Sequence, residues 1–285
     1  MVFPPDLAAG DNSGAFRLIS SMNFKRAFKR WLHGHCPGFK GVLPYFGERV
    51  HFPPHSVIFE LACAQGIFEH ENLRILQAAL RPNAWCFDIG ANIGLMSAPL
   101  LDTERTLQVA SVEASPRTAA YLARTIAVSA NRDRWHLVPK AVGAAEGEIE
   151  FFASAETHGV FDGLKDTGRG HATRKVKVPL TRLDTLWTEF GRPDVCLVKI
   201  DVEGGEADVL RGGLECLRST RPVVLLEWNR HNLAAYGCPP ATLLELAGQL
   251  ECDVLNVPGL APVTTAANLN LQMGIGETFL LVPRA

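Results

Sequence analysis

From about residue 84 the chain alternates short, continuous apolar runs with stretches whose apolar positions recur at helical spacing. A strand is expected over residues 84–89 with a helix over 95–101, then a strand over 107–112 with a helix over 116–130, then a strand over 136–141 and a polar connection. GEIEFFAS, KVKVPLTRL, VCLVKID, PVVLLEW and ETFLLVP are further strand candidates, with helices near 183–190, 206–211 and 241–249. Strands this uniformly apolar are covered on both faces, so the pattern predicts an α/β fold with a mostly parallel sheet between helices.

The first third differs, being punctuated by Pro and Gly. Its longest helical signal is NFKRAFKRWLHG, where Phe24, Ala27, Phe28, Trp31 and Leu32 form an apolar stripe opposite Lys25, Arg26, Lys29 and Arg30. The expectation is that the stripe packs on its own domain and the basic face meets water; binding to a membrane surface or polyanion is the alternative. After Pro53 and Pro54 a short strand is expected over 57–61, then a helix over 69–80 closed by Arg81, Pro82 and Asn83. The chain thus divides into an N-terminal extension, 1–68, and a main domain, 69–285. Residues 157–173 read as a long loop of the kind that serves as a lid or substrate loop.

Composition narrows the field. A formal charge of -2 over 285 residues offers no global attraction to nucleic acid, so no nucleic-acid partner is expected. Seven scattered cysteines without zinc-ligand spacing read as reduced thiols of a cytoplasmic protein. The N-terminus carries no secretory pattern, and no segment has the ~20 consecutive apolar residues that a bilayer span requires.

Candidate chemistry begins at FDIGANIG. Asp88 ends a buried strand and Gly90 and Gly94 shape the turn into the next helix, at the sheet edge where ligands of open α/β folds bind. A dinucleotide turn wants G-x-G-x-x-G, but from Gly90 the register supplies Asn92 and Leu95 instead of the second and third glycines. An acidic turn without a phosphate-binding glycine set suits S-adenosylmethionine better than NAD. Glu113, in VEASP at the end of the next apolar run, is placed to hold ribose hydroxyls, although Glu113 or Ser115 could instead cap the helix that Pro116 begins. In VCLVKIDVEGGEADVLRGG a third strand ends at Asp201 and brings Glu203 and Glu206 around a double glycine. Glu206 and Asp208 could equally serve only the dipole of the helix they begin.

DIGANIG, VEASP, the AVG of PKAVGAAEGEIEFF, LDTL and VKIDVEGGEADVLRGG, in that order, resemble the FkbM-type methyltransferase family over about residues 69–228. The resemblance implies a class I, Rossmann-like sheet of seven strands with S-adenosyl-L-methionine as donor and S-adenosyl-L-homocysteine as product. It also implies transfer to an oxygen of a sugar, polyketide or other natural product. Carried over residue by residue, it assigns Asp88, Gly90, Asn92 and Gly94 to the methionine side of the cofactor and Glu113, with Ala114 beside it, to the ribose. Ala141 then lies near the adenine, and Asp201 and Glu203 form the floor facing the acceptor. Pro99, inside the helix after the first motif, should kink or shorten it.

Methyl transfer is an in-line displacement, so alignment and exclusion of water are the main tasks. Asp201 or Glu203 is the expected base, with His158 and His171 of the long loop as further candidates. Asp201, Glu203 and Glu206 could hold a divalent cation, but no H-x-D or D-D pair supports this and metal-free chemistry is the preferred reading. The expected partner is a small-molecule or glycan acceptor, and a homo-oligomer is left open. An NAD-dependent oxidoreductase and a catalytically inactive binding module are the alternatives.

Overall fold

A computed structural model describes residues 13–154 and 173–284, with side chains described for 24–151 and 175–284. The loop expected over 157–173, with His158 and His171, lies outside the described residues except at its last position.

The described part of the chain begins with helix α1 (Ser13–His35) and a hairpin of β1 (Val42–Tyr45) and β2 (Glu48–His51). Phe46 and Gly47 between the strands both have positive φ, as a tight hairpin turn requires. Helix α2 (Val57–Gln65) stands where a strand was expected. Val57, Ile58 and Phe59 read locally as strand formers, but Ser56 caps the helix by accepting from the amide of Phe59. The buried set Ile58, Phe59, Ala62 and Cys63 then has helical spacing. Helix α3 (His70–Ala78) follows as expected.

The main sheet is built from β3 (Trp85–Ile89), α4 (Ser97–Thr103), β4 (Gln108–Val112), α5 (Pro116–Val128) and β5 (Trp135–Val138). Pro99 sits in the first turn of the seven-residue α4, where its missing N–H has no helical partner to lose. After β6 (Ala141–Val142), β7 (Gly147–Ser154) and β8 (Thr173–Thr181) come α6 (Leu183–Glu189), β9 (Val195–Ile200), α7 (Glu206–Gly212) and α8 (Leu214–Thr220). The chain closes with β10 (Val223–Glu227), α9 (Arg230–Tyr236), α10 (Thr242–Gln249), β11 (Cys252–Asn256), α11 (Ala266–Gln272) and β12 (Thr278–Pro283).

Seven strands pair in the order β11-β12-β10-β9-β3-β4-β5, with β12 antiparallel to both neighbours and β10, β9, β3, β4 and β5 parallel. Two strand candidates, GEIEFFAS and KVKVPLTRL, do not join this sheet: as β7 and β8 they pair with β6 in a separate sheet of three. Strand periodicity sends alternate residues to the two faces. Phe87, Val198 and Leu226 join one core, and Cys86, Leu197 and Leu225 the other. The second core also contains Leu43, Val50, Phe52 and Phe59, so the hairpin and α2 pack on the sheet across the 68/69 division.

The N-terminal helix reverses its expected orientation. Phe24, Phe28 and Trp31 are exposed, while Arg26 donates to the carbonyl of Ala64 in α2 at 2.9 Å and Arg30 pairs with Glu60 at 3.6 Å. A stripe of apolar residues marks a face but does not determine what covers it, and here α2 meets the basic side. Among the described residues no helix is long and apolar enough to cross a membrane.

Candidate active site

The ends of the parallel strands carry the candidate residues to one edge of the sheet. Asp88 and Ile89 of β3 lie level with Ser111 and Val112 of β4 and with Lys199 and Ile200 of β9, so the turns that follow these strands meet. The backbone amides of Gly90 and Ala91 both donate to the carbonyl of Val112, at 2.9 and 3.0 Å. Asn92 and Gly94 complete the bend with positive φ.

A cavity of about 280 Å³ opens along this edge. Gly90, Asn92, Glu113, Ala114, Ala141, Asp201 and Glu203 all line it. Asp88 does not: it is fully buried behind the floor, where its Oδ2 accepts from Ser97 Oγ at 2.6 Å. Ser97 in turn bonds Ser111 at 2.7 Å, and Trp135 Nε1 donates to Ser111 at 2.8 Å. Gly94 is also set back: a Cβ there would stand 2.8 Å from the Trp135 ring. The ring and the turn therefore pack together below the cavity wall.

Glu113 is buried and tied to the backbone. Its Oε2 accepts from the amide of Asn92 at 2.9 Å and its Oε1 from the amide of Ser115 at 2.8 Å. The first bond fixes the glycine turn to β4; the second reaches only the amide of Ser115, and no side chain caps the start of α5. These bonds hold the carboxylate at the cavity edge, beside Ala114.

Sequence reasoning passed over Lys199, which lies within a wholly buried strand. Its ammonium sits between carboxylates, 3.2 Å from Asp201 Oδ2 and 3.6 Å from Asp88 Oδ1, and donates to the carbonyl of Gly90 at 3.0 Å. Burial alone would lower its pKa, but Asp201, Asp88 and Glu69 outweigh that and raise it, so it stays charged. A lysine in a run as apolar as VCLVKI was the available signal, since a buried ammonium needs a partner.

Three carboxylates converge on the cavity, but not the expected three. Asp201, Glu203 and Glu227 bring oxygens within 4.8 Å of one another, a spacing that one divalent cation could bridge. Glu206 does not join them. It is buried against its own helix start, with Oε1 accepting from the amides of Val202 and Gly204 at 3.2 and 3.0 Å. Burial raises its pKa to about 7 despite these bonds. Asp208 likewise stays local, 2.8 Å from Arg211.

Glu227, at the tip of β10, takes the place expected of Glu206. Burial, then the nearby Asp201 and Glu203, push its pKa up to about 9. Buried Asn232 joins the pair, donating from Nδ2 to Glu203 at 2.8 Å and to Glu227 at 3.3 Å. Asn232 is held there because Asn229 caps α9, accepting from the amides of His231 and Asn232. Glu69 enters the cavity from the other side, its pKa raised by burial and by Asp201. The strand end in PVVLLEW was a readable signal for Glu227; nothing local pointed to Glu69 or Asn232.

The seven cysteines are unpaired and five are buried. Burial raises the thiol pKa of Cys86, Cys196 and Cys216, which suits packing rather than nucleophilic chemistry.

The family described as "Methyltransferase FkbM domain" matches residues 88–237. A curated protein named 2-O-methyltransferase NoeI, from Sinorhizobium fredii (strain NBRC 101917 / NGR234), is 26% identical over 191 residues, covering 62% of this chain and 76% of the relative. Among solved structures, methyltransferase FkbM from Methylobacillus flagellatus KT aligns with a TM-score of 0.46 at 13% identity, over 74% of this chain and 47% of its own. This chain thus spans about half of that protein. Magnesium protoporphyrin IX methyltransferase from Synechocystis PCC 6803, solved with bound S-adenosylmethionine, aligns with a TM-score of 0.42 at 10% identity, over 98% of this chain and all of its own.

Proposed function

The chain belongs to the FkbM methyltransferase family and is an S-adenosylmethionine-dependent methyltransferase, and from that premise we propose that it methylates a hydroxyl oxygen of a small-molecule or glycan acceptor. The supporting observation is the polarity of one cavity, with Glu113 beside small Ala114 and Ala141 in one part and the Asp201, Glu203 and Glu227 carboxylates in another. The 2-O-methyltransferase relative agrees with oxygen as the receiving atom.

The residues present suit the cofactor. Gly90 and Glu113 both line the cavity, and in this reading the Glu113 carboxylate faces the ribose diol. Ala114, Ala141 and Phe151 offer small and apolar surface to the adenine. Asp201 and Glu69 supply negative charge for an ammonium group, while Asp88 acts from behind, balancing Lys199, whose ammonium steadies the Gly90 carbonyl. When bound, the cofactor supplies an electrophilic methyl group on a sulfonium.

The chain's own work is then to orient the acceptor and take its proton. Glu203 is our choice of base. Asp201 shares its charge with Lys199, and Glu227 holds its proton at neutral pH. Asn232 fixes the Glu203 carboxylate, and the positive φ of Glu203 turns it off the strand direction. Transfer proceeds in this reading without a metal. His158, the further candidate base, lies outside the described residues.

The test is transfer of labelled methyl from S-adenosylmethionine to a panel of glycans and hydroxylated small molecules, with the product bond assigned by mass spectrometry. Oxygen methylation that falls at least a hundredfold in Glu203→Gln is the expected result. Methylation on nitrogen, or cofactor binding with no acceptor labelled, would overturn it; the latter outcome describes a binding module. The family match displaces the oxidoreductase alternative.

A further inference from the structure

We infer that α1 docks this chain on the surface of an anionic phospholipid bilayer, with its aromatic face toward the lipid. The helix is anchored to α2 by its opposite side, through Arg26 to the Ala64 carbonyl and Arg30 to Glu60. That anchorage leaves Phe24, Phe28 and Trp31 at 72%, 50% and 54% exposure, aligned along one face. The rings of Phe28 and Trp31 lie 5.9 Å apart and present one continuous apolar surface. Aromatic side chains on a surface helix suit the boundary between headgroups and acyl chains.

Charge selects the occupant. Residues 13–47 contain Arg17, Lys25, Arg26, Lys29, Arg30 and Lys40 and no Asp or Glu. With those six excluded, the rest of the chain falls from the overall -2 to -8. The aromatic stripe therefore sits in a basic patch on an otherwise acidic molecule, bordered on the helix by Lys25 and Lys29 on one side and Arg30 on the other. Two copies meeting through this stripe would bring basic borders together, whereas anionic headgroups complement them while the rings enter the apolar layer.

The position of the patch fits such docking. The helix that holds α1, α2, also supplies Ile58, Leu61 and Gln65 to the cavity lining. The docked helix thus rests on an element that borders the cavity. The inference stands on α1 and its surroundings, independently of the reaction.

Sedimentation of the full chain with vesicles tests it. Phosphatidylcholine vesicles containing about a third phosphatidylglycerol should pellet most of the protein at low salt, and several-fold less at high salt. Pure phosphatidylcholine should pellet little. Phe28→Ser with Trp31→Ser, and separately Lys25→Glu with Lys40→Glu, should each cut binding at least fivefold while leaving the melting temperature unchanged, since these four side chains are exposed. Failure to pellet with anionic vesicles would overturn the proposal, as would pelleting that neither double variant reduces. A dimer by light scattering that the aromatic double variant dissolves would overturn it in favour of self-association.

Discussion

The backbone of Gly90 lies directly against the carbonyl of Asp201, so close that a Cβ on Gly90 would collide with that oxygen. Gly90 also has a φ of +80°, a conformation that costs a residue with a side chain. The contact joins the turn after β3 to the end of β9 and sets the width of the cavity floor. Gly90→Ala is therefore expected to destabilise the protein by about 3 kcal/mol. It should also abolish the thermal stabilisation by S-adenosylhomocysteine, measured as a melting shift with and without ligand.

Lys199 supports the same floor by charge. Lys199→Met would leave Asp88, which is fully buried, without its cation. An uncompensated buried charge costs roughly 3–5 kcal/mol, which urea denaturation would read directly. Adding Asp88→Asn removes the orphaned charge and should recover a substantial part of that loss; no recovery would mean that Asp88 is not what Lys199 balances.

The carboxylates at the cavity make stability depend on pH in a stated direction. Glu227 and Glu206 have folded-state pKa values near 9 and 7, both above the value of about 4.3 for an unfolded glutamate. The folded state then binds more protons than the unfolded state above that value. The associated stability is fully present below about pH 4.3 and is lost as pH rises through 7 and then 9. Glu227→Gln, which cannot ionise, should melt higher than the parent at pH 9, with a gap that narrows toward pH 5. A gap independent of pH would reject the assignment.

Metal dependence separates two uses of the acidic cluster. If Glu203 takes the acceptor's proton unaided, enzyme treated with chelator and verified as metal-free by elemental analysis should keep full methyl-transfer activity. Activity that falls more than tenfold and returns with magnesium or manganese would instead make Asp201, Glu203 and Glu227 a cation site.

Much of this architecture could be read locally. Alternating apolar runs and helical spacings located the strands of the central sheet except the half-exposed edge strand β11, because a strand covered on both faces must be apolar throughout. Carboxylates at strand tips, with glycines beside them, marked the edge that became the cavity. Residues 57–61 read as a strand because three strand-forming residues open the segment, while the cap by Ser56 and the burial of Ala62 and Cys63 decided for a helix over Val57–Gln65.

The sequence by itself determined that Asp88, Glu113 and Asp201 would stand at the ends of apolar strands, since period and turn chemistry are properties of adjacent residues. Only the tertiary structure decided which carboxylates face the cavity. Glu206 was captured by amides of its own turn and Glu227 was brought in from the next strand, while Asp88 withdrew behind the floor to Lys199. It also decided that α1 turns its basic side to α2 and its aromatic side outward. Those outcomes depend on contacts between segments far apart in the chain, and on competition among partners for the same polar group, neither of which leaves a periodic trace in the order of residues.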